Sequence, residues 1–149
     1  MRRPLLLPPP MRLADAVVAL AVPAYLVLVA MLIGSFINLA ADRLPRRESI
    51  VRPRSHCRSC GRVLNLVDLI PVAGYAIRGG RCAGCGKTIG ASSPAVEALC
   101  GASMLASLVL LGPLRGALVG AAAVSVVGVA AVGLALARAG GAKREYRSG

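Results

Sequence analysis

The chain contains no Trp, one Phe and three Tyr, so aromatic residues make up only 3% of its 149 positions. Such a chain lacks the large side chains that dominate soluble cores. Acid is also scarce, with six Asp and Glu against 18 Lys and Arg and a formal net charge of +12. After Asp68 there is no aspartate at all, and the acids that remain are Glu97 and Glu145. No Gly-rich dinucleotide fingerprint follows a strand-like run, and Gly79-Gly80 reads as a turn. What is abundant is aliphatic: 56% of residues are hydrophobic and the mean hydropathy is +0.71. This is the composition of membrane-spanning helices, not of a soluble globule.

The apolar residues fall into three blocks. Residues 1–13 form a short leader carrying Arg2, Arg3, Arg12 and a Pro8-Pro9-Pro10 run, and Met11 is a competing start. Residues 14–41 form the first block, interrupted by Asp15 near its start and by Pro23, where a kink is expected. About 20 helical residues cross a bilayer, so this block suffices. Ala19-Leu20-Ala21 also resembles a signal-peptide cleavage site, but the apolar run continues well beyond it, which favours a retained span. Residues 94–111 make a second span, for which Ser93 is the expected N-cap and Pro94 the first helical residue. Gly112-Pro113 ends it, and residues 114–137 make a third span, in which Gly116 and Gly120 allow close helix approach. Residues 138–149 are a basic tail, expected to be unstructured.

Charge then sets the expected topology. Three spans put residues 42–93 and the tail on one side, with ten and four basic residues, against four on the other. Basic loops face the cytoplasm, so the loop and tail are expected there. Topology accounts for the basic charge better than a nucleic-acid partner does, and none is expected.

The polar loop 42–93 carries the chemistry. It holds the only His and four of the five cysteines, in Cys57-Arg58-Ser59-Cys60-Gly61 and Cys82-Ala83-Gly84-Cys85-Gly86. A CxxC turn followed by Gly presents two thiolates to one ion, and two such pairs make a closed tetrahedral site. Zinc is the expected metal, with Cys57, Cys60, Cys82 and Cys85 as ligands. Disulfides would replace it were the topology inverted, and thioredoxin-type redox pairs are a further reading that lacks its βαβ surroundings. Arg58, Arg62, Arg81 and Lys87 flank the cysteines and would offset the negative charge of four thiolates. Four protein ligands leave no open position, so the metal's role is structural. His56 is expected to face solvent and Cys100 to be a small buried residue.

The loop and its flanks contain further motifs in a fixed order. Gly34-Ser35-Phe36-Ile37-Asn38-Leu39 leads into Arg43-Leu44-Pro45. Then follow the first CxxCG, Asp68-x-Ile70-Pro71, Arg78-Gly79-Gly80-Arg81, the second CxxCG, and Ser93-Pro94-Ala95-Val96-Glu97. Over about residues 30–101 this order resembles the N-terminal region of the type IV prepilin peptidases. That resemblance implies a multi-pass protein of the bacterial inner membrane, engaged with prepilin or pseudopilin substrates of pilus and type II secretion systems. It implies leader cleavage by an aspartic peptidase and N-methylation with S-adenosylmethionine, for which the sequence has no motif of its own. It also raises Asn38, Asp42, Arg43, Asp68 and Glu97 as substrate-contact candidates. For each a structural role is also open: a helix end in the headgroup region, a local ion pair, a cap or a helix-dipole partner.

The sequence departs from that family at the chemistry. The family's catalytic aspartates lie in later spans, and these 149 residues contain none there. The resulting expectation is a half-enzyme that works with a separate catalytic membrane subunit. The alternative is a zinc-stabilised scaffold that binds pilin-like substrates without acting on them.

Overall fold

The computed structural model describes residues 13–148, with side chains described through Gly140. The expected leader, with Arg2, Arg3, Met11 and Arg12, lies outside the described residues. Four α-helices follow one another: α1 Leu13–Arg43, α2 Ala73–Ile77, α3 Ser92–Leu111 and α4 Pro113–Ser148. Two short 3-10 turns, Leu44–Arg46 and Val67–Leu69, lie in the loop between α1 and α3. No named strand occurs among the described residues, only two isolated β-bridges.

The three long helices α1, α3 and α4 are long and apolar enough to cross a membrane. Their apolar residues encircle each helix rather than forming one stripe, which is the pattern of helices surrounded by lipid. They pack as an up-down-up bundle around Ala30, Cys100, Met104, Leu108 and Val124. Without a hydrophobic drive between helices in lipid, association depends on close backbone approach. Glycines supply it. A Cβ on Gly34 would lie 3.0 Å from the Glu97 Cα, and one on Gly116 would lie 2.6 Å from the Leu108 Cα. Cys100 is fully buried at the centre of this packing, as its apolar neighbours in the sequence suggest.

Pro23 lies inside α1, within the span read from sequence. Two boundaries differ from that reading. The second span begins at Ser92 and not at an N-cap on Ser93, whose hydroxyl donates instead to the Glu97 carboxylate at 2.9 Å. An N-cap oxygen accepts backbone N–H groups, whereas Ser93 lies within the first turn and its hydroxyl is in donating reach of a carboxylate one turn ahead. The tail expected to be unstructured continues α4 to Ser148. Ala, Lys, Arg and Glu are strong helix formers, and a preformed helix extends through them at little cost.

The antiparallel order puts the C-terminal part of α4 beside the turn Leu44–Arg46, hence on the same side as the cysteine loop. The loop is pinned to the bundle there. Arg43 is buried and donates to the Ser49 and Pro53 carbonyls at 2.8 and 2.9 Å.

Candidate metal centre and adjoining cavity

The two CxxCG segments fold alike. In the first, the Cys57 N–H donates to the Arg62 carbonyl at 2.8 Å and the Gly61 N–H donates to the Cys57 carbonyl at 2.8 Å. In the second, the Cys82 N–H donates to the Lys87 carbonyl and the Gly86 N–H to the Cys82 carbonyl, both at 2.9 Å. A β-bridge closes each segment, His56 to Val63 and Arg81 to Thr88. Gly61 and Gly86 have φ of 72° and 68°, a left-handed conformation that a Cβ disfavours. The chain thus builds the same turn twice, and each turn points two sulfurs inward.

The four sulfurs meet. All lie within 4.8 Å of one another, with Cys57 Sγ 3.9 Å from Cys85 Sγ and Cys60 Sγ 3.8 Å from Cys82 Sγ. A tetrahedron with metal–sulfur bonds of about 2.3 Å has edges of about 3.8 Å. The cluster is therefore compatible with a zinc site, and all five cysteines are free thiols. The turn backbone favours thiolate character at two positions. The N–H groups of Gly84 and Cys85 hold the Cys82 thiol down to about 6, and those of Cys60 and Ser59 lower Cys57. Cys60 receives an N–H from Arg62, but desolvation and three neighbouring thiols push it up to about 11. Four sulfurs this close ionise together only around a cation.

Two of the four expected flanking cations have carboxylate partners. Arg58 pairs with Asp42 at 2.5 Å and Glu48 at 3.1 Å, and Arg62 pairs with Asp68 at 2.9 Å. Asp42, in the last turn of α1, also pairs with Arg46. These contacts tie the first cysteine turn to α1. His56 is exposed, and its Nδ1 lies 2.9 Å from the Arg54 carbonyl.

Asp68 joins the two halves of the loop. Its carboxylate accepts from Arg62, which follows the first cysteine turn, and from Arg78 at 2.7 Å, which precedes the second. It also accepts the Asn65 N–H at 3.0 Å, while Asn65 Oδ1 accepts the Asp68 N–H at 3.0 Å. The Asn65 N–H and the two arginines hold its carboxyl below the usual aspartate range. A depressed carboxyl pKa means stability that is complete above the unfolded value of about 3.9 and is lost as pH falls through the folded value. Acid titration of the metal-loaded protein should therefore show the loop loosening below about pH 4. Asp68→Asn should lose part of that dependence, the remainder following protonation of the cysteine thiolates as the metal leaves, while being less stable at neutral pH, read by limited proteolysis of residues 42–93.

Glu97 performs the matching task on α3. It is 6% exposed, and Oε2 accepts the Val72 N–H at 2.7 Å. Val72 has φ 56° and ψ −48°, and the Ala73 N–H donates back to the Pro71 carbonyl at 2.5 Å, so the chain makes a γ-turn there. A positive φ is rare and strained for a β-branched residue. Glu97 holds that turn against the bundle.

These elements enclose a cavity of about 640 Å³. Asn38 and Asp42 reach it from α1, Asp68 and Tyr75 from the loop, Glu97 from α3, and Cys57 and Cys82 from the cysteine turns. Four of the five substrate-contact candidates thus converge. Arg43 does not; it lines a second cavity on the other flank of the loop.

The description Bacterial Peptidase A24 N-terminal domain matches residues 28–111, which contain α3, the cysteine loop and the last half of α1. The chain belongs to this family. The A24 N-terminal domain is 40% identical over 84 residues to a prepilin leader peptidase/N-methyltransferase of Myxococcus xanthus, covering 56% of the chain and 25% of that relative. It is 39% identical over 67 residues to a protein of the same name from Bacillus subtilis, covering 45% of the chain and 27% of the relative. An Escherichia coli type 4 prepilin-like proteins leader peptide-processing enzyme is 32% identical over 108 residues, covering 60% of the chain and 40% of the relative. The chain therefore spans between a quarter and two-fifths of these relatives' lengths. No solved structure matches.

Some site residues of this A24 N-terminal domain escaped the sequence reading. Ser93 and Val72 are partners of Glu97, Glu48 of Arg58, and Arg78 of Asp68. The Ser93–Glu97 pair was legible as an i,i+4 spacing on one helix face. The others are 10 to 25 residues apart with no local periodicity between them.

Proposed function

We propose that this chain is the metal-organised half of a prepilin-processing system in the bacterial inner membrane, with loop 42–93 and the C-terminal end of α4 in the cytoplasm. The observation that carries the reading is the convergence of Asn38, Asp42, Asp68 and Glu97 on one cavity beside the cysteine cluster. The basic loop supports the orientation, and the names of the relatives support prepilins or pseudopilins as substrate. Zinc is the metal that four cysteines in a tetrahedron suit best. It would hold the loop in shape, and substrate would meet the cavity rather than the metal. S-adenosylmethionine remains an implication of resemblance, with no residues here assigned to it.

Leader cleavage by an aspartic peptidase needs two carboxylates that share a proton. Asp42 and Asp68 are each committed to two arginines and not to one another. Arginine pairing favours the ionised state, the opposite of what a proton-sharing dyad requires. The cutting pair is therefore assigned to residues outside these 149, supplied in the proposed system by a membrane partner, and this domain positions the substrate. The test is co-expression with a carboxylate-bearing membrane partner and a prepilin. Leader cleavage is expected only when both chains are present. Cleavage by this chain alone would overturn the assignment of the catalytic pair, and substrate capture without cleavage in any combination would favour the scaffold.

A further inference from the structure

We infer that the second cavity, at the loop end of α1, is a binding site for the phosphodiester headgroup of an anionic membrane lipid. The cavity has a volume of about 210 Å³. Arg43 lines it and is only 5% exposed, yet no carboxylate among the described side chains pairs with it. Its two hydrogen bonds go to neutral carbonyls, of Ser49 and Pro53. A buried charge left without a counter-ion is costly, so an anion completes such a site. Arg54 lines the same cavity, is exposed, and likewise pairs with no described carboxylate.

The rest of the lining decides which anion. Leu39, Ile50, Leu64 and Leu69 form apolar walls, and Val51 at the rim is 76% exposed. A free phosphate makes no use of those walls, whereas a lipid brings a phosphate and hydrocarbon in one molecule. Leu39 and Arg43 belong to the last turns of a membrane-spanning helix, so the cavity opens at headgroup depth. Two arginines without a carboxylate partner disfavour a choline headgroup, which carries its own cation, and favour phosphatidylglycerol.

Native mass spectrometry of the metal-loaded full chain, with phosphatidylglycerol and phosphatidylcholine added in equal amounts, tests this. Phosphatidylglycerol should be retained preferentially, and Arg54→Gln should weaken it by about fivefold, the contribution of one arginine at a lipid surface. Arg43→Gln should weaken it too, but Arg43 also pins the loop, so Arg54→Gln is the deciding variant. Arg81 pairs with no described carboxylate either and lines the other cavity, so Arg81→Gln should leave retention unchanged. Equal retention of the two lipids would overturn the site. Equal losses in the Arg54 and Arg81 variants would reduce it to general charge attraction, and displacement by inorganic phosphate would show a free-anion site instead.

Discussion

Cys82→Ser should abolish metal binding and unfold the loop between α1 and α3. The wild-type chain should carry about one zinc ion, and the variant none, by elemental analysis of the purified protein. The effect is large because the loop has little regular structure or apolar packing of its own. Its secondary structure is α2, two 3-10 turns and two isolated bridges, and Val63, Leu66, Val67, Leu69, Ile70 and Ile77 are exposed. Metal binding at structural zinc sites contributes about 10–16 kcal/mol apparent, comparable with the whole stability of an ordinary domain. Losing it should therefore unfold the module outright, making residues 42–93 protease-sensitive while the helical bundle persists. Cys100→Ser should keep its metal, because Cys100 lies in the bundle core, away from the cluster. Retention of zinc by the Cys82 variant would overturn the site. A metal-free wild type with oxidised cysteines would overturn both the site and the cytoplasmic orientation.

Glu97→Ala should release the Val72 turn of the loop from α3, whereas Glu97→Gln should largely keep it attached. Alanine leaves the Val72 N–H and Ser93 hydroxyl without their acceptor, and a buried unsatisfied group costs about 1–3 kcal/mol. It also removes the contact that holds Val72 in its strained turn. Glutamine can accept the Val72 N–H through its oxygen and donate to the Ser93 hydroxyl through its amide, because that hydroxyl can reverse its role. The pair of variants separates shape from charge. If Glu97 serves the cavity through its negative charge, Glu97→Gln should stay folded by limited proteolysis and still lose prepilin processing in the co-expression assay. Full processing by a folded Glu97→Gln chain would confine Glu97 to an anchoring role.

Much of the molecule was legible in its sequence because the deciding signals are local. Long aliphatic blocks specify the spans, and a CxxCG turn needs only five consecutive residues to aim two sulfurs. The order of motifs from Gly34 to Glu97 was sufficient to indicate the family. The boundary errors were local as well: Ser93 has both a cap-like position and a carboxylate four residues ahead, and only packing showed which it uses.

What the sequence by itself determined is the set of parts: three membrane helices, a basic loop, two cysteine turns and a handful of polar candidates. Only the tertiary structure decided how they combine. It gathered Asn38, Asp42, Asp68 and Glu97 around one cavity and sent Arg43 to another. It bound Asp42 and Asp68 to arginines and made Glu97 the anchor of a strained turn. The physical reason is range. Helix formation and cysteine turns follow from neighbouring residues, whereas the pairing of a buried charge depends on which distant group the fold brings within hydrogen-bonding reach.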